Sequence, residues 1–387
     1  VLLVTGPRQV GKTTLLRRLA VKGRRYVTLD DPLALGLARE DPVLFLETFP
    51  PPLLLDEVQY APGLLNEIKR AVDMDRTPGR FWLTGSQHFH LMKGVSESLA
   101  GRVAILHLAG LSWQEQAGRG RGCKPFSPTR PGSALPPARA RVGAVALYRA
   151  IWRGSFPGIA LAEKADRDLF HGSYVQTYLQ RDVRDLARVG DEMAFLRFLR
   201  AAAARTAQIL NLADLARDAG VAPNTAKAWL SILQASGLVY LLEPYHTNVT
   251  KRLVKAPKLY FLDTGLCSYL TQWSSPETLA AGAMSGAILE SWVVAEILKS
   301  YWHNGFQAPL TYYRDKEQKE IDVLISQDGV IHPVEIKRSA SPSARDAAPF
   351  ASLARLGLPV GSGAVVCLVE RSVPLTADVQ AIPAWSM

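Results

Sequence analysis

The chain opens on an apolar run, "VLLV", then a polar, glycine-punctuated loop, then a leucine-rich segment of helical period from Lys12 onward. Short apolar runs bounded by turn residues predict buried strands, and apolar recurrence at three and four residues predicts amphipathic helices. Two more such runs, in "PPLLLDEVQY" and "GRFWLTGS", each end on polar residues. Strands alternating with helices over residues 1–115 predict an α/β core on a parallel sheet. The periodicity then lapses over 116–145 and returns as helices over 146–204. Residues 205–270 read as helix, turn and helix followed by a strand, and residues 280–387 as a helix followed by several strands.

The first loop carries chemistry. Gly6-Pro7-Arg8-Gln9-Val10-Gly11-Lys12-Thr13-Thr14 fits G-x-x-x-x-G-K-[ST] between a strand and a helix, the context that this motif requires. The glycines let the backbone curl so that its amides and the helix N-terminus face phosphates. Lys12 is expected at the β and γ phosphates of ATP, and Thr13 at Mg²⁺. Asp56, ending the second strand, suits the Mg²⁺ shell, and Glu57 is placed to polarise an attacking water. Thr84, Gly85 and Ser86 end the third strand, where a hydroxyl between two parallel strands can sense the γ-phosphate. Arg102 is the candidate cation for transition-state charge, in its own subunit or in a neighbour's. ATP is favoured over GTP because the base-reading pattern Asn-Lys-x-Asp is absent.

From Gly118 to Arg141 there are six basic residues, five prolines, four glycines and no acid. Such a stretch cannot order itself around its own core, so a loose linker or insertion is expected. The helix-turn-helix and its strand suggest a winged helix, though Lys227 and Trp229 give the second helix modest DNA-reading credentials. Lys251, Arg252, Lys255 and Lys258 form the better basic patch.

In the last region, Asp322 and the Glu335-x-Lys337 group lie on strands that are otherwise apolar. Residues i and i+2 share a face, and ionisable groups on buried strands are costly unless they pair or bind something. A metal-dependent phosphodiester site answers that: Asp322, Glu335 and the Ile336 carbonyl hold a second Mg²⁺ or Mn²⁺, and Glu290 from the preceding helix completes the shell. Lys337 then steadies hydroxide or phosphate. An ion-paired relic without metal has the same sequence.

Composition narrows the setting. The chain has 387 residues, enough for two or three domains. Its apolar stretches, such as Val103 to Leu111, fall far short of a bilayer span. No secretory leader is expected, and some native residues are expected to precede Val1. Three scattered cysteines favour a reducing cytoplasm. A formal charge of +10 favours polyanionic partners, and equally plain solubility.

The blocks "GPRQVGKTTLL", "LLLDEVQ", "WLTGSQ", "LAGRV", "GSFPG", "SYVQTYLQRDV", "KAPKLYFLDTGL" and "EIDVLI…VEIKRS" resemble, in order, a prokaryotic family of AAA-type ATPases with a C-terminal domain of unknown function. The resemblance implies a P-loop NTPase core, a winged helix and a restriction-endonuclease-like PD-(D/E)xK domain. By position, Gly6, Gly11, Lys12 and Thr13 become Walker A, Asp56 and Glu57 Walker B, and Ser86 the sensor. Glu290, Asp322, Glu335 and Lys337 become the nuclease-like set. Three whole-chain readings stay open. One is an Mg²⁺-dependent ATPase coupled to a domain that binds nucleic acid, DNA foremost, with or without cutting it. The second is an ATP-dependent switch with an inactive nuclease-like platform for a protein partner. The third is a nucleotide-dependent DNA-binding protein. A homo-oligomer is compatible with each.

Overall fold

The structure is a computed structural model of the chain, and it describes residues 1–20, 22–85, 98–132, 143–178, 191–245 and 256–387. The described chain gathers into two compact units, residues 1–110 with 232–238 and residues 111–231 with 239–387. The five segments expected from sequence are thus distributed over two bodies.

The first unit is built on β1 (Leu2–Thr5), β2 (Arg25–Thr28), β3 (Leu53–Asp56), β4 (Phe81–Gly85) and β5 (Ala104–His107), in the order β2-β3-β4-β1-β5. All neighbours run parallel. Parallel strands need crossovers, and α1 (Lys12–Leu19), α2 (Pro32–Glu40), α3 (Pro42–Thr48) and α4 (Leu64–Met74) lie in those connections. Leu3, Leu53, Leu55, Phe81 and Leu83 are fully buried with Phe45, Leu64 and Ile68 from the helices. The consequence for chemistry is that β4 lies between the strand that feeds the glycine loop and the strand that ends in Asp56. Val4 pairs with Thr84, and Leu55 with Leu83. The C-terminal ends of β1, β3 and β4 therefore converge at one edge.

In the second unit the helices are α5 (Trp113–Gln116), α6 (Ala144–Arg153), α7 (Pro157–Ala160), α8 (Arg167–Tyr178), α9 (Glu192–Ala204), α10 (Leu212–Ala219), α11 (Pro223–Ala235), α12 (Thr264–Leu270), α13 (Pro276–Ala281) and α14 (Ser285–Trp302). A three-stranded antiparallel sheet of β6 (Gln208–Ile209), β7 (Val239–Leu242) and β8 (Lys258–Phe261) has β8 at its centre. Trp229 of α11 packs edge-on against Phe195 and Phe198, at 5.1 and 5.5 Å between centroids, so it serves the core and is withdrawn from any groove.

The last sheet has the order β13-β14-β12-β11-β10-β9, from β9 (Leu310–Arg314), β10 (Glu320–Gln327), β11 (Val330–Ile336), β12 (Gly363–Cys367), β13 (Val373–Pro374) and β14 (Val379–Pro383). β9, β10 and β11 form an antiparallel meander, and β12 joins β11 in parallel after the helical turns of residues 344–356. The chain leaving β7 covers the outer edge of β9, with the Tyr245 amide donating to the Tyr312 carbonyl at 2.7 Å. Middle region and C-terminal sheet are in this way one hydrogen-bonded body.

The expectation of a loose linker over 116–145 needs correction for its described part. Residues 118–132 lie as a strap along α14 and the C-terminal strands. The Phe126 amide donates to Ser300 Oγ (2.9 Å), the Tyr301 hydroxyl to the Phe126 carbonyl (3.1 Å), Asn304 Nδ2 to the Cys123 carbonyl (3.0 Å) and Gln380 Nε2 to the Thr129 carbonyl (3.0 Å). A segment too polar to form a core can still be ordered when a preformed helix satisfies its peptide groups. Among the described residues, no helix is long and apolar enough to cross a membrane.

Candidate functional site

In the first unit the glycine loop turns sharply because Gly6 and Gly11 adopt φ of +144° and +91°, and Gln9 also sits at positive φ, +61°. At Gly6 a Cβ would lie 1.9 Å from the Leu108 carbonyl oxygen, so only hydrogen fits. The Lys12 ammonium folds over the loop and donates to the carbonyls of Gly6 (2.9 Å) and Pro7 (2.7 Å). It is thereby held against the loop itself.

Asp56 is the hub. Its Oδ2 accepts from the Thr13 hydroxyl at 2.8 Å and from the Tyr26 hydroxyl at 3.0 Å, and its Oδ1 accepts a short bond from Thr84. A hydroxyl of the loop, an acid of β3 and a hydroxyl of β4 are thus joined in one chain. Thr84 is fully buried and is one of the hydroxyls expected between the strands; Ser86, the sensor by resemblance, lies outside the described residues. Tyr26 was not foreseen. Burial, then the Asp56 carboxylate, raises its phenol pKa. Glu57 sits at φ +56°, a left-handed conformation that is rare for a residue with a Cβ and often found where a site fixes a side chain. The Gln59 side-chain amide donates a short bond to Glu57, which makes Gln59 a positioning residue that went unread in "DEVQ". The donor set fits Mg²⁺: a hydroxyl and a carboxylate, both oxygen, meet beside a phosphate-binding loop.

Arg102 is not brought to this edge. Its carbonyl accepts from the Val1 amine at 2.9 Å, beyond the N-terminal end of β5, and its guanidinium spans both oxygens of Asp73 at 2.6 and 3.1 Å. In a parallel sheet that is the end opposite the glycine loop, so Arg102 does not serve its own subunit's nucleotide edge.

The second cluster lies where β8, α14, β10 and β11 meet. The ladder between β10 and β9 shifts register between Ile321 and Leu324, a bulge at Asp322 of the kind that re-aims a side chain. Asp322 Oδ2 accepts from the Ile336 amide at 2.9 Å. Glu335 is buried, and its Oε1 accepts from the Lys337 ammonium at 2.6 Å while Oε2 has no hydrogen-bond partner among the described residues. Glu290 reaches the same place from α14. The sequence-derived quartet Glu290, Asp322, Glu335 and Lys337 does come together.

What sequence reasoning misplaced is Lys258. Grouped there with an exposed basic patch, it is 2 % exposed, and its ammonium stands 2.6 Å from Glu320, 3.0 Å from Glu290 and 3.4 Å from Asp322. Lys251, Arg252 and Lys255 lie outside the described residues. Tyr260, two residues along and on the same face of β8, donates to Glu290 Oε1 at 2.7 Å. The signal was present: "KLYF" is a buried strand with one cation, and the cost argument applied to Glu335 applied there too. Burial alone would lower the Lys258 pKa, but Glu290, Asp322 and Glu320 hold it above its ordinary value. Burial and the neighbouring Asp322 push Glu290 and Glu335 each up to about 7. The second Mg²⁺ or Mn²⁺ expected here does not fit this arrangement, because an ammonium already stands among the carboxylates. Among the described residues, no group of three or more His, Cys, Asp or Glu side chains is disposed to hold a metal ion.

Residues 1–117 match the family described as AAA domain; residues 145–277 and 285–387 match two domains of unknown function, DUF8612 and DUF4143. Uncharacterized protein Rv2008c of Mycobacterium tuberculosis is 32% identical over 393 aligned positions, covering 99% of this chain and 80% of that protein. Among solved structures, an S. cerevisiae Hsp104-ADP complex matches with 15% identity and a TM-score of 0.27, over 60% of this chain and 35% of that one. A Thermotoga maritima RuvB variant matches with 18% identity and a TM-score of 0.28, over 62% and 80%. Superpositions at those scores carry no argument. The sequence relationship does: the chain belongs to the family of the mycobacterial protein, and its first unit is an AAA-type P-loop ATPase domain.

Proposed function

We propose that this family member is an Mg²⁺-dependent ATPase whose nucleotide cycle governs a second unit that binds DNA without cutting it. The observation that carries the ATPase half is the Thr13–Asp56–Thr84 chain at the edge where the glycine loop opens. ATP draws Lys12 off the loop carbonyls onto its phosphates. Thr13 and Asp56 would hold Mg²⁺, which when bound neutralises phosphate charge. Glu57, steadied by Gln59, orients the attacking water and takes up its proton. Loss of the γ-phosphate is felt at Thr84 through Asp56, which links hydrolysis to the position of β4.

For the second unit, the order α9, β6, α10, α11, β7, β8 supports a winged helix. The order α14, β9, β10, β11, helical turns, β12 supports a PD-(D/E)xK-like fold. Support for a polyanionic partner comes from the strap, where Arg121, Lys124 and Arg130 are exposed and no acid occurs from 118 to 132. Phosphate contacts release counterions, so DNA affinity should fall steeply with salt. Neutralising Arg121, Lys124 and Arg130 together is expected to flatten the slope of log K against log salt by up to about 2–3, at about 0.9 per phosphate contact. Fluorescence anisotropy with a labelled duplex measures it; an unchanged slope would remove the strap from the DNA surface. Plasmid nicking with Mg²⁺ or Mn²⁺ is expected to be absent, and Asp322-dependent nicking would return the cutting reading.

A further inference from the structure

The carboxylates of the C-terminal cluster already have a cation, and it comes from another strand of the same chain. We infer that Lys258 is the resident cation of this site, standing where a divalent metal ion would otherwise bind and keeping metal out.

An ammonium has three N–H donors, and here three carboxylates, Glu290, Glu320 and Asp322, lie within 3.4 Å of it. Lys258 has little freedom to leave. β8 is paired on both sides, with Ile209 of β6 and Leu242 of β7 opposite Lys258. Tyr260 fastens the same strand face to Glu290. A metal ion in the same space would meet the ammonium at close range, whereas removal of the ammonium would leave three acids facing one another in a buried site. Lysine and metal are therefore alternatives. Lys337 does not compete for this role, because it pairs with Glu335. Glu335 Oε2, without a hydrogen-bond partner among the described residues, is an oxygen that a metal could recruit once Lys258 is gone.

The test is Mn²⁺ titration of the nucleotide-free full chain, followed by electron paramagnetic resonance. The wild-type protein and Asp322→Asn are expected to give the same isotherm. Lys258→Ala is expected to gain one bound ion per chain, and the gain to vanish when Asp322→Asn is added. A wild-type ion that Asp322→Asn removes would overturn the inference, as would a folded Lys258→Ala that gains none. Should Lys258→Ala fail to fold, Mn²⁺ soaked into wild-type crystals still decides. An anomalous peak between Glu290 and Asp322 refutes the assignment, and electron density for the lysine there without such a peak upholds it.

Discussion

Lys258→Met is expected to destabilise the protein by about 3–5 kcal/mol, the usual consequence of removing one partner from a buried ion pair. Methionine fills much of the volume, so the loss is electrostatic: Glu290, Glu320 and Asp322 lose the cation they share. The loss should depend on pH in a defined sense. Glu290 is held up to about 7 from an ordinary value of 4.5, by burial first and by Asp322 second. Between those values the folded chain keeps a proton that the unfolded chain releases, so stability falls as pH rises through the window. Lys258 itself stays charged there, since its pKa is raised. Without the ammonium, which draws its pKa down, Glu290 holds its proton more tightly still, and the gap between wild type and variant widens from pH 5 to pH 8. Denaturant unfolding at the two pH values measures it. A gap that is constant, or larger at pH 5, would mean that the carboxylates do not depend on Lys258.

Lys12→Ala is expected to lower ATP turnover by about 10²-fold or more, the scale seen when a fixed donor to developing charge is removed. The fold should survive, because the Lys12 ammonium bonds loop carbonyls that water can satisfy in its place. Nucleotide affinity should fall as well, since the lysine meets the β and γ phosphates in both ground state and transition state. Steady-state phosphate release and binding of a fluorescent ATP analogue separate the two effects. Unaltered turnover in a folded variant would mean that the glycine loop is not the hydrolytic site.

Legibility followed locality. The nucleotide edge could be read because loop, acid pair and hydroxyl each occupy a few contiguous residues, and the physical role of each is set within its own strand end. Thr84 and Ser86 were indistinguishable on those terms, since which hydroxyl reaches Asp56 is decided by the pairing of β4 between β1 and β3. Glu290, Asp322, Glu335 and Lys337 were legible as charges on apolar elements. Lys258 was not, because its neighbours in sequence are basic and its neighbours in space come from α14 and β10. Charge counted along the chain assigned it to a surface, while the strand that carries it is the centre of a sheet. The strap failed for a similar reason: composition reports whether a segment can order itself, and not whether α14 will order it. Whether Arg102 acts in its own subunit or in a neighbour's was open in the sequence, and its place beside Val1 and Asp73 removes only the first of these.

If the first unit hydrolyses ATP, Asp56 and Glu57 are the acids through which it must do so. Single-turnover hydrolysis of γ-labelled ATP by the full chain, wild type against Glu57→Gln, tests this most directly. Wild type should release phosphate only with Mg²⁺ present, and Glu57→Gln should bind ATP with Mg²⁺ and hold it uncleaved. Equal phosphate release by the two proteins, or release by wild type undiminished in excess chelator, would contradict it.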